Sequence, residues 1–308
     1  MSALRKLLQD YLTMRRALGF KMHAEGIGLL SFVTYMEQAQ ADFISTDLAL
    51  AWAKQPTMAQ PIWWAHRLSF VRGFARYCHA IDPRSEVPPS GLLPFSRRRP
   101  SPYFFTDEDI DQLLQNTLQL QLKDPFMNQT LYCLFGLLAV SGLRIGEALS
   151  LALNDVDLDQ ALLTIRSTKF DKSRLVPMHT TTAKVMVDYQ KHREQFLAGR
   201  QTPYWFVNVQ GGCLGYDSVR RALRHLTDGM ANQTGRLRPR LHDLRHRFAM
   251  KTLLHWYRDG QDVEQQLPTL SAFLGHVQVS DTYWYLSACP ELLGAAKNRL
   301  ERHWEKTS

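Results

Sequence analysis

Leu4, Leu7, Leu8, Tyr11 and Leu12 recur at helical spacing, with Arg5, Lys6, Arg15 and Arg16 around the stripe, so the chain opens with an amphipathic helix. A second helix is predicted over about residues 25–40, and Ser45-Thr46-Asp47 caps a short one carrying Leu48, Leu50 and Trp52. Trp63, Trp64, Phe70, Phe74 and Tyr77 line a longer helix whose exposed side offers His66, Arg67, Arg72 and Arg76. The pattern then stops. Pro83, Pro88, Pro89, Pro94, Pro100 and Pro102 rule out a continuous helix, and Arg97, Arg98 and Arg99 lie among them. This stretch reads as a basic linker, residues 85–102, between a helical unit of residues 1–84 and a second unit of residues 103–308.

Thr106 followed by Asp107, Glu108 and Asp109 caps the first helix of the second unit, with carboxylates where the helix dipole favours them. An apolar run from residue 131 to 140 predicts a buried helix ending at Ser141-Gly142, where glycine lets the backbone turn and Arg144 is delivered from the start of the next helix. Two short strands, residues 162–166 and 174–178, form a hairpin whose turn carries Lys169 and Lys172. Residues 181–197 and 217–230 are predicted helical and residues 205–208 extended. Arg220, Arg221, Arg224 and His225 make the helix over 217–230 basic, and Arg236, Arg238 and Arg240 continue the positive surface. The expected class is mainly α with a small antiparallel sheet, α+β, in two domains.

Composition narrows the partner. Of 308 residues, 37 are Lys or Arg against 29 Asp or Glu, a formal net charge of +8 that favours a polyanion, although a merely basic soluble protein would look the same. Arg67, Arg72, Arg76, Arg97, Arg98, Arg99, Arg220, Arg221 and Arg224 are candidate phosphate contacts, with simple solvation as the alternative. The 4 cysteines show no paired spacing for zinc or disulfides, which fits a reducing cytosol. The longest apolar run, 13 residues from 131 to 143, is too short to span a membrane, and the first 12 residues lack the apolar region of an export signal. Neither a nucleotide-binding glycine loop nor an H-E-x-x-H pair is present, so no cofactor and no metal is called for.

The chemistry concentrates between His242 and Tyr285. The segment His242-Asp243-Leu244-Arg245-His246 leads on to Leu274-Gly275-His276 and then to Asp281-Thr282-Tyr283-Trp284-Tyr285. His242 and Arg245, three apart, share a helix face. A guanidinium holds two phosphate oxygens at once, an imidazole moves or donates a proton, and a phenol needs such surroundings to become a nucleophile. Two residues are about 200° of helical rotation, so Tyr283 and Tyr285 point to nearly opposite sides. Only one of them can face a phosphate; if that one is Tyr285, Tyr283 and Trp284 pack against or support the segment.

Together these segments resemble the tyrosine recombinase, phage-integrase-like family. Ser141-Gly142-Leu143-Arg144, with Glu147 and Ala148 after it, matches the segment of the family's first arginine, and Lys169 followed by Arg174 and Pro177 matches its hairpin lysine with Arg-x-x-Pro. His242 and Arg245 match the H-x-x-R pair, His276 the Leu-Gly-His box, and Tyr285, nine positions on, the tyrosine. The stretch from 253 to 268 is longer and more polar than the family's spacer, and the end from Asp281 to Leu292 is most similar to the transposon-borne branch.

The resemblance implies a helical, SAM-like core-binding domain and a catalytic domain that close on double-stranded DNA as a clamp. It implies a catalytic set of Arg144, Lys169, His242, Arg245, His276 and Tyr285, with Tyr285 as nucleophile. The product would be a 3'-phosphotyrosyl enzyme, formed without metal or ATP, in integration, excision or transposition of a mobile element. It further implies self-association on DNA as a tetramer, with partner recombinases or accessory DNA-bending proteins, in a nucleoid-associated, cytoplasmic setting. Strand relaxation of the type IB topoisomerase kind and a catalytically silent DNA-binding regulator are the alternatives. A stripe of Leu292, Leu293, Ala296 and Leu300 predicts a tail helix, which either packs on its own domain or, as the resemblance implies, docks on a neighbouring protomer.

Overall fold

Leu4, Leu8, Tyr11 and Leu12 form the buried face of α1 (Ala3–Ala17), whose first turn is closed by the Ser2 side chain accepting from the Arg5 amide. Three further helices follow, α2 (His23–Gln38), α3 (Thr46–Lys54) and α4 (Pro61–Ile81). Ser45 caps α3, and Pro61 opens α4, where its missing N–H costs nothing. Leu29, Phe32, Met36, Trp52, Val71 and Phe74 are fully buried between these helices, with Trp52 meeting the Phe32 ring edge-on at 5.2 Å. In this computed structural model the four helices belong to one compact unit, Met1–Arg99, and the rest of the chain to a second, Pro100–Ser308. The residues described are 2–95, 101–122, 124–166, 173–234 and 238–288, with Leu292, Gly294 and Lys297.

Part of the expected linker is packed onto the first unit. The Ser85 hydroxyl accepts from the Ile44 amide at 3.3 Å, the Glu86 amide donates to the Ile44 carbonyl at 2.7 Å, and Leu93 is buried in the helical core. Arg72 reaches across to donate to the carbonyls of Pro88 and Pro89 at 2.8 and 2.9 Å. Proline forbids a helix here, but it does not forbid an extended segment whose carbonyls take donors from α4. Trp63, expected on the apolar line of α4, is instead 46% exposed.

In the second unit α5 (Asp107–Leu118) begins in a reciprocal box, Thr106 accepting from the Asp109 amide and Asp109 from that of Thr106. Asp107 accepts from Lys251 at 2.7 Å and is paired with Arg247, which ties this first turn to α10 (Leu241–Arg258). The apolar run lies within α6 (Pro125–Ser141), buried almost all round, and Gly142 ends it at φ +61°. After α7 (Ile145–Leu149) comes a three-stranded antiparallel sheet in the order β1 (Val156–Asp157), β2 (Leu162–Ile165), β3 (Arg174–Pro177), with Leu163 opposite Val176. The two-residue β1 is too short to show an alternation and went unpredicted. Residues 205–208 make only the isolated Val207–Cys213 bridge among the described pairings.

Beside α10 the described residues hold four more helices: α8 (Thr180–Leu197), α9 (Tyr216–Thr234), α11 (Val263–Leu274) and α12 (Ser280–Ala288). The larger core joins α5, α6, α8, α9 and the sheet, with Phe126 stacked on Phe196 at 4.1 Å. A second apolar cluster, holding Ala249, Leu253, Leu267, Leu270, Leu274 and Tyr285, binds α10, α11 and α12 to one another. Leu292 is 1% exposed within this same cluster, so the first residue of the expected tail stripe is covered by its own chain rather than left for a neighbour. Leu293, Ala296 and Leu300 lie outside the described residues. Among the described residues no helix is long and apolar enough to cross a membrane.

Candidate active site

The site is assembled where helices end. Helix α11 stops at Gly275, φ +67°: the Gly275 and His276 amides take the carbonyls of Ala272 and Ser271, and those of Phe273, Leu274 and Gly275 are left for other donors. Three arginines fill that need. Arg174, at the start of β3, donates through Nε to the Phe273 carbonyl at 2.8 Å, and Arg245 in α10 donates to that of Leu274 at 2.8 Å. Arg144, which precedes α7, donates to Gly275 at 2.8 Å and more weakly to Leu274 at 3.4 Å. Arg245 also grips the Gly142 carbonyl at 2.8 Å, so the ends of α6 and α11 are held by one guanidinium. A helix C-terminus carries partial negative charge, which is why it can gather cations this densely.

Glu147 supplies the balancing charge. It accepts both terminal nitrogens of Arg174 at 3.1 and 2.8 Å, the Arg144 guanidinium at 2.8 Å and the Arg144 amide at 2.9 Å. Burial alone would raise its pKa, but the Arg174 bonds and then the Arg144 bonds outweigh that and hold it below the ordinary carboxylate value. Arg144 meets Glu147 within one helical turn, whereas Arg174 reaches it across 27 positions.

Arg245 is 1% exposed, and its pKa is lowered to about 10, first by burial and then by Arg144, with the Tyr285 and Glu147 charges acting in the other direction. Tyr285 is close enough to act on this guanidinium's pKa and is itself only 2% exposed. Its ring lies nearly parallel to that of His276 at 6.1 Å and meets His246 at 5.3 Å. His276 has its pKa lowered to about 4 by desolvation, then by Arg245 and Arg144, so its ring is neutral at pH 7. The His242 pKa is likewise lowered by desolvation and by Arg245, although the residue is exposed; its ring stands at 85° to His246, 4.5 Å away. Tyr283, two residues from Tyr285, points away from the cluster and is 52% exposed rather than packed in support of it.

Five of the six predicted residues therefore converge: Arg144, His242, Arg245, His276 and Tyr285. Lys169 lies outside the described residues, between the ends of β2 and β3. Trp284, expected to support the segment, packs its ring on His246 at 4.8 Å. The sequence alone singled out no role for Arg174, Thr282 or His246. Thr282 places its hydroxyl 2.8 Å from His276 Nδ1. For Thr282 and His246 the signal is positional, about one helical turn or less from a predicted residue.

The candidate phosphate-binding arginines divide. Arg67 lies flat over Trp52, 3.8 Å from the ring, and donates to the Trp52 carbonyl at 2.8 Å; with Arg72 spent on prolyl carbonyls, both serve the first unit's own structure. Arg76 is exposed. On α9, Arg220 pairs with Asp217 at 3.1 Å, Arg221 donates to the Asp217 carbonyl, and Arg224 is exposed. Arg97, Arg98 and Arg99 lie outside the described residues.

A buried phenol beside a buried guanidinium and a neutral imidazole, carried on a mainly helical second unit with a small sheet, is the arrangement that the resemblance to the tyrosine recombinases implies. Residues 103–291 match the phage integrase family, and the chain belongs to that family. It is a site-specific tyrosine recombinase. The integrase/recombinase y4rB of Sinorhizobium fredii strain NGR234 is 50% identical over 99% of both chains. The tyrosine recombinase XerC of Lacticaseibacillus casei is 30% identical over 72% of this chain and 70% of its own. In fold, the chain is similar to the Tn1549 transposon integrase solved with transposon right end DNA, with a TM-score of 0.65 at 16% identity, covering 96% of this chain and 98% of that one.

Proposed function

We propose that Tyr285 is the nucleophile and that Arg144, Lys169, His242, Arg245 and His276 are its catalytic partners. The observation that carries this reading is the placement of Tyr285 against Arg245 and His276 while Tyr283 faces solvent. The phenolic oxygen attacks the scissile phosphorus, the bond from phosphorus to the 5'-oxygen breaks, and a 3'-phosphotyrosyl enzyme and a free 5'-hydroxyl result. Arg144 and Arg245 hold the nonbridging oxygens: a guanidinium has five N–H donors, and the backbone bonds of Arg245 engage two. His276 donates to the same phosphate, His242 takes the phenolic proton, and Lys169 protonates the leaving oxygen. One ester replaces another of similar energy, so the reverse step joins a new 5'-hydroxyl without an external energy source.

The biological reaction is integration, excision or transposition of a mobile element, carried out by four protomers on two duplexes. Relatives named for integrases and for a transposon's integrase support the mobile-element reading. The test is a nicked duplex built from the DNA flanking the gene, from which the short 3' fragment diffuses away and traps the adduct. Tyr285→Phe should bind this DNA and give no adduct, whereas Tyr283→Phe should give it. An adduct whose peptide map places DNA on Tyr283 would overturn the assignment.

A further inference from the structure

Several buried or half-buried hydroxyls in the described helices share one habit. Thr117, Thr130, Ser141, Thr227 and Thr252 each donate to the carbonyl four residues back, at 2.6 to 3.0 Å. Thr282 departs from it. It sits in the first turn of α12, where the residue four back, Gln278, precedes the helix, and it is fully buried. Among the described residues, the partner of its Oγ1 is Nδ1 of His276 at 2.8 Å.

That contact has a direction. A buried hydroxyl proton left without an acceptor costs about 1–3 kcal/mol, and the acceptor within reach is the Nδ1 lone pair. Donation to Nδ1 requires that nitrogen to be bare. The ring is neutral at pH 7, since desolvation and the flanking arginines push its pKa down to about 4. A neutral imidazole carries one proton, which therefore lies on Nε2.

We propose that Thr282 is a positioning residue for strand cleavage: its hydroxyl donates to His276 Nδ1 and fixes the tautomer in which Nε2–H is offered to the scissile phosphate. This rests on the reading of His276 as a phosphate donor. It also removes His276 as a base for the phenol, because its only lone pair is already engaged. Thr282 and Tyr285 lie three apart on α12, so the helix that delivers the phenol also sets the proton on its partner.

The test uses the full chain labelled with 15N-histidine, the tautomer of His276 being read from long-range 15N–1H correlations assigned by their loss in His276→Asn. Wild type and Thr282→Ser should show the Nε2–H form; Thr282→Val, which keeps the shape and loses the hydroxyl, should show both tautomers. Adduct formation on the nicked duplex should fall on the order of 10-fold in Thr282→Val, as expected for one lost hydrogen bond, with DNA binding unchanged and with recovery in Thr282→Ser. Thr282→Val should add nothing in a His276→Asn background. An Nδ1–H spectrum in the wild type would overturn the proposal, as would a Thr282→Val protein with unchanged tautomer and rate. Should Thr282→Val fail to fold, the wild-type spectrum and Thr282→Ser still decide the direction of the bond. Full activity in His276→Asn would instead sink the donor reading, which the tautomer spectrum tests separately from the hydroxyl bond.

Discussion

Gly275→Ala perturbs the arginine hub at one defined point. The backbone there has φ +67°, and a Cβ would stand 2.7 Å from Nη1 and 2.9 Å from Cζ of Arg174. The left-handed conformation by itself costs an alanine about 1–2 kcal/mol. The guanidinium is the end of a flexible side chain, but it cannot simply swing aside, because Glu147 and the Phe273 carbonyl hold all three of its nitrogens. Moving it weakens at least one hydrogen bond to a charged group, worth about 2 kcal/mol. The total is therefore roughly 3–4 kcal/mol. Gly260→Ala is the matched control, since Gly260 has φ +70° and a Cβ there would meet no atom within 4 Å, so that it carries the backbone cost alone. Denaturant unfolding of both variants and the wild type should place Gly275→Ala about 2 kcal/mol below Gly260→Ala, the arginine part of the cost. Adduct formation should fall at least about 10-fold in Gly275→Ala, because Arg144 and Arg245 bond the same turn. Equal destabilisation and equal cleavage in the two variants would refute the view that Arg174 is wedged against this glycine.

The stability of the second unit should fall as the pH drops below about 6.5, the unfolded value for histidine, because folded His276 takes its proton only near 4 and unfolding between these values binds one. Glu147 acts in the same sense at lower pH: its depressed pKa gives stability that is present above its ordinary value of 4.5 and lost as the pH falls through the folded value. His276→Asn should flatten the unfolding midpoint between pH 6.5 and 4, and a profile identical to the wild type's would count against a neutral His276. DNA affinity should decline steeply with salt as phosphate contacts displace counterions, and a log–log slope near zero would contradict binding along the backbone. The adduct experiments at Tyr285, Tyr283 and Thr282 complete the set.

The helices were legible because period 3.6 is a local property: α1 carries the expected apolar stripe, α8 starts one residue before the expected span, and the apolar run of residues 131–140 falls inside α6, which starts earlier, at Pro125. Arg144, His242, Arg245, His276 and Tyr285 were legible as a set through a family pattern, and the opposite facing of Tyr283 and Tyr285 followed from helical rotation alone. What the sequence could not settle were contacts between segments far apart in the chain. Arg67, Arg72 and Arg76 lie on one helix, yet two of them spend their donors on backbone carbonyls of their own unit, a fate decided by where Trp52 and Pro88 come to lie. Ser85 and Leu93 sit in a proline-rich stretch, and only the presence of Ile44 and the helical core beside them turns it into packed structure. Arg174 and Glu147 meet directly across 27 positions beside a helix end whose Phe273 carbonyl takes the remaining Arg174 donor. Sequence determined which side chains were available and on which face of each helix they stood; tertiary structure decided which donor met which acceptor, because a buried polar group must be paired wherever the fold brings a partner within reach.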